Sequence, residues 1–297
     1  MDPADWSERV ELFFGAASES MCRVYARLDT SDTDGAGDAA WKLTGSLTGP
    51  TCEYAATLPA TCSLVDAGPG PMPLAKGLVP DPCYWTPSMP HLYQATVEIQ
   101  RSGQTVGVVE RTFGMRPLAA SGRGLRFGSK SWVVRGARRE TLTVDELSEW
   151  HAAEVAVLIS APDDALCEAA SRQGVLLLAE LTAPDRREIR RLVRWPAVGA
   201  LVLPSETSSV PGGLGHNVIL GQRFAFGATV HTAPWADVAL CEVDSHAELP
   251  PGALDCDRPV LVIRPEEPAP SAAGARSACD RLQRDLAPRG QFAGYIV

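Results

Sequence analysis

The stretch "RWPAVGALVLPSET", Arg194 to Thr207, reads as a buried strand that stops at a carboxylate, Glu206, with a Pro-Ser pair just ahead of it. It has no polar alternation, so both of its faces must be covered, as in a parallel sheet clothed by helices. Seven further runs of this kind lie in the same half of the chain. They are "WVVR" from 132, "VAVLI" from 155, "VLLL" from 175, "NVIL" from 217, "DVALC" from 237, "PVLVI" from 259 and "FAGYIV" from 292. Eight such strands predict a (β/α)8 barrel over 125–297.

Helices are legible between some of these runs. Asp163 can cap "DALCEAASRQ", which Gly174 ends; Asp185 and Glu188 open a second helix; Ala275, Cys279, Leu282 and Leu286 form the apolar stripe of a third. The connections "PSETSSVPGGLGH" and "AFGATVHTAPWA" carry no helical period. The stretch is also well short of the roughly 250 residues common for this architecture. A compact, reduced TIM-like barrel is expected, with its last strand left uncovered near residue 297 and in need of a protein partner or a second copy.

Residues 1–117 have a different rhythm. In "LYQATVEIQ" the side chains of Tyr93, Ala95, Val97 and Ile99 fall on one face and polar ones on the other. "RSGQ" supplies a glycine turn and "VGVVERTFGMR" runs back, which makes a hairpin. "VELFFGA" and "CRVYARL" are further strands, while Asp29–Asp38 and Ala67–Pro82 read as loops. These features predict an immunoglobulin-like β-sandwich, with 118–124 as the linker to the barrel.

Composition narrows the function. A net charge of −9 with no basic run argues against nucleic acid or an anionic membrane. There is no signal-like opening and no apolar span of membrane length, so a cytoplasmic protein is expected. The eight cysteines form no C-x-x-C pair and the five histidines are dispersed, so no metal and no cofactor is expected. Cys22, Cys52, Cys62 and Cys83 could form disulfides only in an oxidising compartment.

Residues 83–118, "CYWTPSMPHLYQATVEIQRSGQTVGVVERTFGMRPL", resemble the last strands of the immunoglobulin-like domain of family 2 glycoside hydrolases, the β-galactosidase and β-glucuronidase group. The matching positions are Trp85, Pro87, Pro90, Leu92, Tyr93, Phe113, Gly114 and Arg116. Arg135 and Gly136 resemble the Arg-Gly step of the family's first barrel strand, and "CEAASRQGVLLLAE" its second helix and third strand. The resemblance places Glu206 at the general acid/base position, with Ser205 where the family has Asn. It places Arg264 where the family's nucleophilic Glu closes the seventh strand, and Leu158 where the second strand ends in Arg. The family's N-terminal sugar-binding domain has no counterpart here.

A retaining glycosidase needs two carboxyl groups about 5–5.5 Å apart. Arginine cannot serve as a nucleophile because it stays protonated. The expected reading is therefore a degenerate, non-catalytic relative acting as a scaffold or assembly component. A carbohydrate-binding pseudoenzyme using an aromatic such as Trp235 is the second reading. A residual glycosidase pairing Glu206 with Glu242 or Glu266 is the third. Barrel-mouth candidates are Arg139, Glu140, Glu180, Ser205, Glu206, Trp235, Glu242, Asp244 and Glu266. Glu206 is expected to make a charge pair across the barrel, with Arg264 as the first partner to examine.

Overall fold

The computed structural model describes residues 3–30, 41–212, 217–264 and 271–297, with side chains from Trp6 onward. They divide into two compact units, Met1–Trp85 with Met89–Met115, and Thr86–Ser88 with Arg116–Val297. Among the described residues no helix is long and apolar enough to cross a membrane.

The first unit opens with a short helix, α1 (Pro3–Arg9), followed by seven antiparallel strands. These are β1 (Val10–Ala17), β2 (Met21–Leu28), β3 (Trp41–Thr51), β4 (Ala60–Asp66), β5 (Leu74–Pro80), β6 (Leu92–Arg101) and β7 (Gln104–Phe113). Their order is β1-β2-β5-β4-β3-β6-β7. Strand β4 lets this single sheet fold over into a sandwich: its residues 60–64 pair with β3, whereas Val65 and Asp66 pair with β5. The two inner faces then meet. Cys22, Val24, Ala26 and Leu28 alternate with more exposed neighbours and join Leu43, Leu47, Val97 and Ile99 in one core. The hairpin β6–β7 turns on Ser102 (φ 51°) and Gly103 (φ 80°), both left-handed, so its twist matches that of the strands it joins.

The expected loop at 67–82 is corrected, because it contains β5. Gly77 and the flanking prolines mask the strand signal, but β5 is hydrogen-bonded on both sides, to β2 and β4. Of the other expected loop, residues 31–38 lie outside the described residues.

The expected linker at 118–124 is also corrected. It forms β8 (Leu118–Ser121) and starts β9 (Gly124–Phe127), which with β10 (Lys130–Trp132) makes a small antiparallel sheet. Leu118, Leu125 and Trp132 from this sheet line the same apolar void as Leu176, Ala200 and Ile219 of the barrel interior, so the sheet plugs the N-terminal end of the barrel. Trp132 therefore precedes the first barrel strand and is not part of it.

The barrel is closed and parallel: β11 (Val134–Arg139), β12 (Ala156–Ser160), β13 (Leu177–Glu180), β14 (Val198–Pro204), β15 (Ile219–Phe224), β16 (Val238–Glu242), β17 (Val260–Ile263) and β18 (Gly294–Ile296). Four helices accompany it: α2 (Leu147–Ala152), α3 (Asp164–Gln173), α4 (Arg186–Val193) and α5 (Ala272–Leu286). Asp163, Asp185 and Ser271 cap α3, α4 and α5 by accepting from backbone amides, and Gly174 (φ 74°) ends α3 in the left-handed conformation. No helix occurs in the described parts of the connections after β14, β15 and β16.

The expectation of an uncovered last strand fails. Helix α5 packs on β18 and β11, with Cys279, Leu282 and Leu286 buried. Tyr295, Ile296 and Val297 are at most 5% exposed. A helix from the β17–β18 connection thus covers the seam between the last and first strands, and the apolar reason for a partner at that place disappears.

Candidate active-site region at the barrel mouth

Strand alternation decides which side chains reach the mouth. Leu178, Val202 and Leu240 face the barrel interior. Two residues further along β13 and β16, at the strand ends, stand Glu180 and Glu242. By the same alternation β15 presents Arg223, β12 Ser160 and β11 Arg138. These side chains form one polar cluster. Arg223 donates from Nε to Glu242 Oε1 at 2.8 Å and from Nη2 to the same oxygen, while its Nη1 donates to Glu180 Oε1. On the far side of Glu180, Arg138 donates from Nε to Oε2 at 3.3 Å, and Ser160 Oγ approaches the same oxygen at 3.4 Å.

The cluster is charge-balanced, with two arginines and two glutamates, and its centre is shielded. The side chains of Glu180, Glu242 and Arg223 are 10%, 15% and 24% exposed. Burial works against the Arg223 cation, but hydrogen bonds and charge from Glu242 and Glu180 outweigh it and hold its pKa above the ordinary arginine value. The Arg223 guanidinium thus spans one oxygen of each carboxylate, Oε1 of Glu180 and Oε1 of Glu242.

The other expected residues lie elsewhere. Glu206 is exposed just beyond β14, where Ser205 Oγ lies 3.2 Å from its Oε2; among the described residues it makes no ion pair. The expected charge pair across the barrel is therefore corrected. Arg264 is 7% exposed and its Nη1 lies 3.6 Å from Asp285 Oδ2 on α5, outside the barrel. Following Ile263, it has the opposite strand phase and cannot reach Glu206. Arg139 is likewise turned outward: it pairs with Glu146 at 3.3 Å and stacks over Trp150. Glu140 is exposed and is no part of the cluster.

Asp244 organises a loop, its Oδ1 accepting from the amides of His246 and Glu248 at 3.1 and 2.8 Å. The Trp235 indole donates to the Thr207 carbonyl at 3.1 Å, tying two connections together. Glu266 lies outside the described residues. The residue missed by sequence reasoning is Arg138. The period of two puts Arg138 in phase with Val134 and Gly136, but only the structure shows that this phase looks inward.

Arg116, which ends the Phe-Gly-x-Arg segment, has a structural task. It is buried, and its guanidinium donates to the carbonyls of Pro196 and Asn217, which precede β14 and β15. Burial lowers its pKa to about 9, which leaves it charged at neutral pH. All eight cysteines are unpaired thiols. Burial pushes Cys22 and Cys279 up to about 11 and Cys167 and Cys241 up to about 12, so these four behave as small apolar groups.

A β-sandwich leading into a closed eight-stranded parallel barrel, with acids and arginines at the strand ends, is an architecture of multidomain glycoside hydrolases. Residues 19–116 match the family model of "Glycosyl hydrolases family 2", so this part of the chain is similar to that family. Among solved structures it is similar to a glycosyl hydrolase family 2 member from Bacteroides cellulosilyticus, with TM-score 0.64 and 12% identity over 98% of this chain and 43% of that one. It is also similar to a β-glucuronidase from Bifidobacterium dentium, with TM-score 0.60 and 13% identity over 97% and 59% of the two chains. A third similar structure is β-glucuronidase 2 of Bacteroides uniformis, with TM-score 0.60 and 14% identity over 98% and 45%. At such identities the likeness is one of fold, and the chain spans only 43–59% of these three structures. No curated protein matches the sequence.

Proposed function

We propose that this chain is a non-catalytic relative of the family 2 glycoside hydrolases. The observation that carries this reading is the position of Arg223, between Glu180 and Glu242 at the mouth of the barrel. Arg223 bonds an oxygen of both acids, so each of them faces a guanidinium of its own chain where a substrate would have to be met. The place where the family resemblance puts the nucleophile adds support, because Arg264 is turned onto α5. Glu206 keeps its place in sequence but stands exposed beyond the strand end.

The test is hydrolysis of aryl β-glucuronides and β-galactosides by the purified chain, over a range of pH. No turnover above the buffer rate is expected, either from the chain itself or from Glu206→Gln. Turnover that Glu206→Gln or Glu242→Gln abolishes would overturn the reading, since it would require one of these carboxylates to act on substrate.

A further inference from the structure

The opposite end of the barrel carries a separate feature. Between the β16–β17 connection, the residues before β18 and the β8–β9 turn lies a cavity of about 140 Å³. Arg123, Arg258 and Arg289 line it together with Gln291, and Leu254 and Phe292 give it an apolar side. No acidic residue lines it, in a chain whose net charge is −9.

Two of the three guanidinium groups, those of Arg123 and Arg289, are held by carbonyls and not by carboxylates. Arg123 donates from Nε to Cys256 O at 2.9 Å and from Nη2 to Leu254 O, and Arg289 donates from Nη1 to Ala247 O at 2.7 Å. Arg258 has only a loose contact with the exposed Asp257, at 3.9 Å. Carbonyl bonds fix a guanidinium in place while leaving its charge uncompensated and several of its five N–H donors unused. Two such cations, with the loosely paired Arg258 beside them, give the cavity a positive potential.

We propose that this cavity is a binding site for a phosphate group, either as the free ion or as a small phosphomonoester whose organic part lies against Phe292 and Leu254. The volume is adequate, being close to that of an engineered cavity of about 150 Å³ that admits benzene. The donor set also fits. Guanidinium forks match the oxygen edges of phosphate, and a tetrahedral dianion can accept from three directions where a carboxylate presents one edge.

Isothermal titration calorimetry of the full chain with inorganic phosphate at low ionic strength tests this. Saturable binding at one site per chain is expected. Arg258→Gln should weaken it about tenfold or more, the loss of one charge-assisted bond, without unfolding the protein, because Arg258 bonds nothing that holds the fold. Arg172→Gln, on the exposed side of α3, should leave binding unchanged. Tighter binding of glycerol phosphate than of phosphate would place the organic part in the cavity, and equal affinity would assign the free ion. Absence of saturable heat, equal loss in Arg172→Gln, or acetate binding as tightly as phosphate would overturn the proposal.

Discussion

The two sides of the barrel solve the same problem differently. Strands β11 to β14 and β18 are covered by α2 to α5, which present apolar stripes such as Ala275, Cys279, Leu282 and Leu286. Strands β15 to β17 have no helix in the described parts of the connections around β15 and β16, yet Phe224, Ala239, Cys241, Val260 and Val262 are buried. There the cover is irregular chain fastened by single polar contacts. Gln222, 3% exposed, donates to Ser205 O at 2.8 Å and accepts from Ala233 N at 2.7 Å. The amide of Val230 donates to Pro251 O, and Gly252 has φ 83°, where a Cβ would be strained and would stand 3.0 Å from Val230 O. Helices satisfy their own backbone and need only apolar area to dock. Loops must have their amides and carbonyls satisfied one by one. Removing helices from a barrel therefore exchanges distributed apolar packing for a few indispensable hydrogen bonds.

That contrast can be broken from either side. The largest effect is expected on the helical side: Leu282→Ala empties a fully buried position beneath α5 and should cost about 3 kcal/mol of unfolding free energy in urea melts. A cost below about 1 kcal/mol would mean that α5 is not the apolar cover of the seam. On the loop side Gln222→Leu, similar in size, should cost about 1 kcal/mol by leaving the part-buried Ala233 amide and the Ser205 carbonyl without their partner. Hydrogen exchange locates the damage, since the Ala233 amide should lose protection while α5 keeps its own. Uniform loss across the barrel would contradict local fastening.

The smallest effect concerns the turn before α2. The Thr143 amide donates to Glu146 Oε2 at 2.8 Å, as does the Thr143 hydroxyl, and these bonds with nearby Arg139 hold the Glu146 carboxyl below its ordinary pKa. A depressed folded pKa gives stability that is present above the unfolded value of about 4.3 and lost as pH falls through the folded one. An NMR titration should place Glu146 below that value, and Thr143→Ala should move it upward. Titration at or above about 4.3 would remove this contribution.

Much of this was legible in the chain itself. Each of the eight apolar runs overlaps one barrel strand, because burial on both faces leaves no room for polar alternation. The hairpin around Ser102-Gly103 and the caps Asp163 and Asp185 follow from local chemistry that needs no distant partner. Strand β5 was hidden, since Gly77 and its prolines are poor strand formers that only pairing on both sides can overrule.

The sequence by itself determined the strand count, the change from sandwich to barrel near residue 116 and the shortage of helices on one side. The tertiary structure alone decided which of two adjacent arginines faces inward and where Arg264 points. It also decided that Arg223 lies between Glu180 and Glu242, 43 and 19 residues away along the chain. The physical reason is phase. A period of two is readable along any strand, but which half of it looks inward is set by closure of the barrel, and closure brings together side chains that no local rule relates.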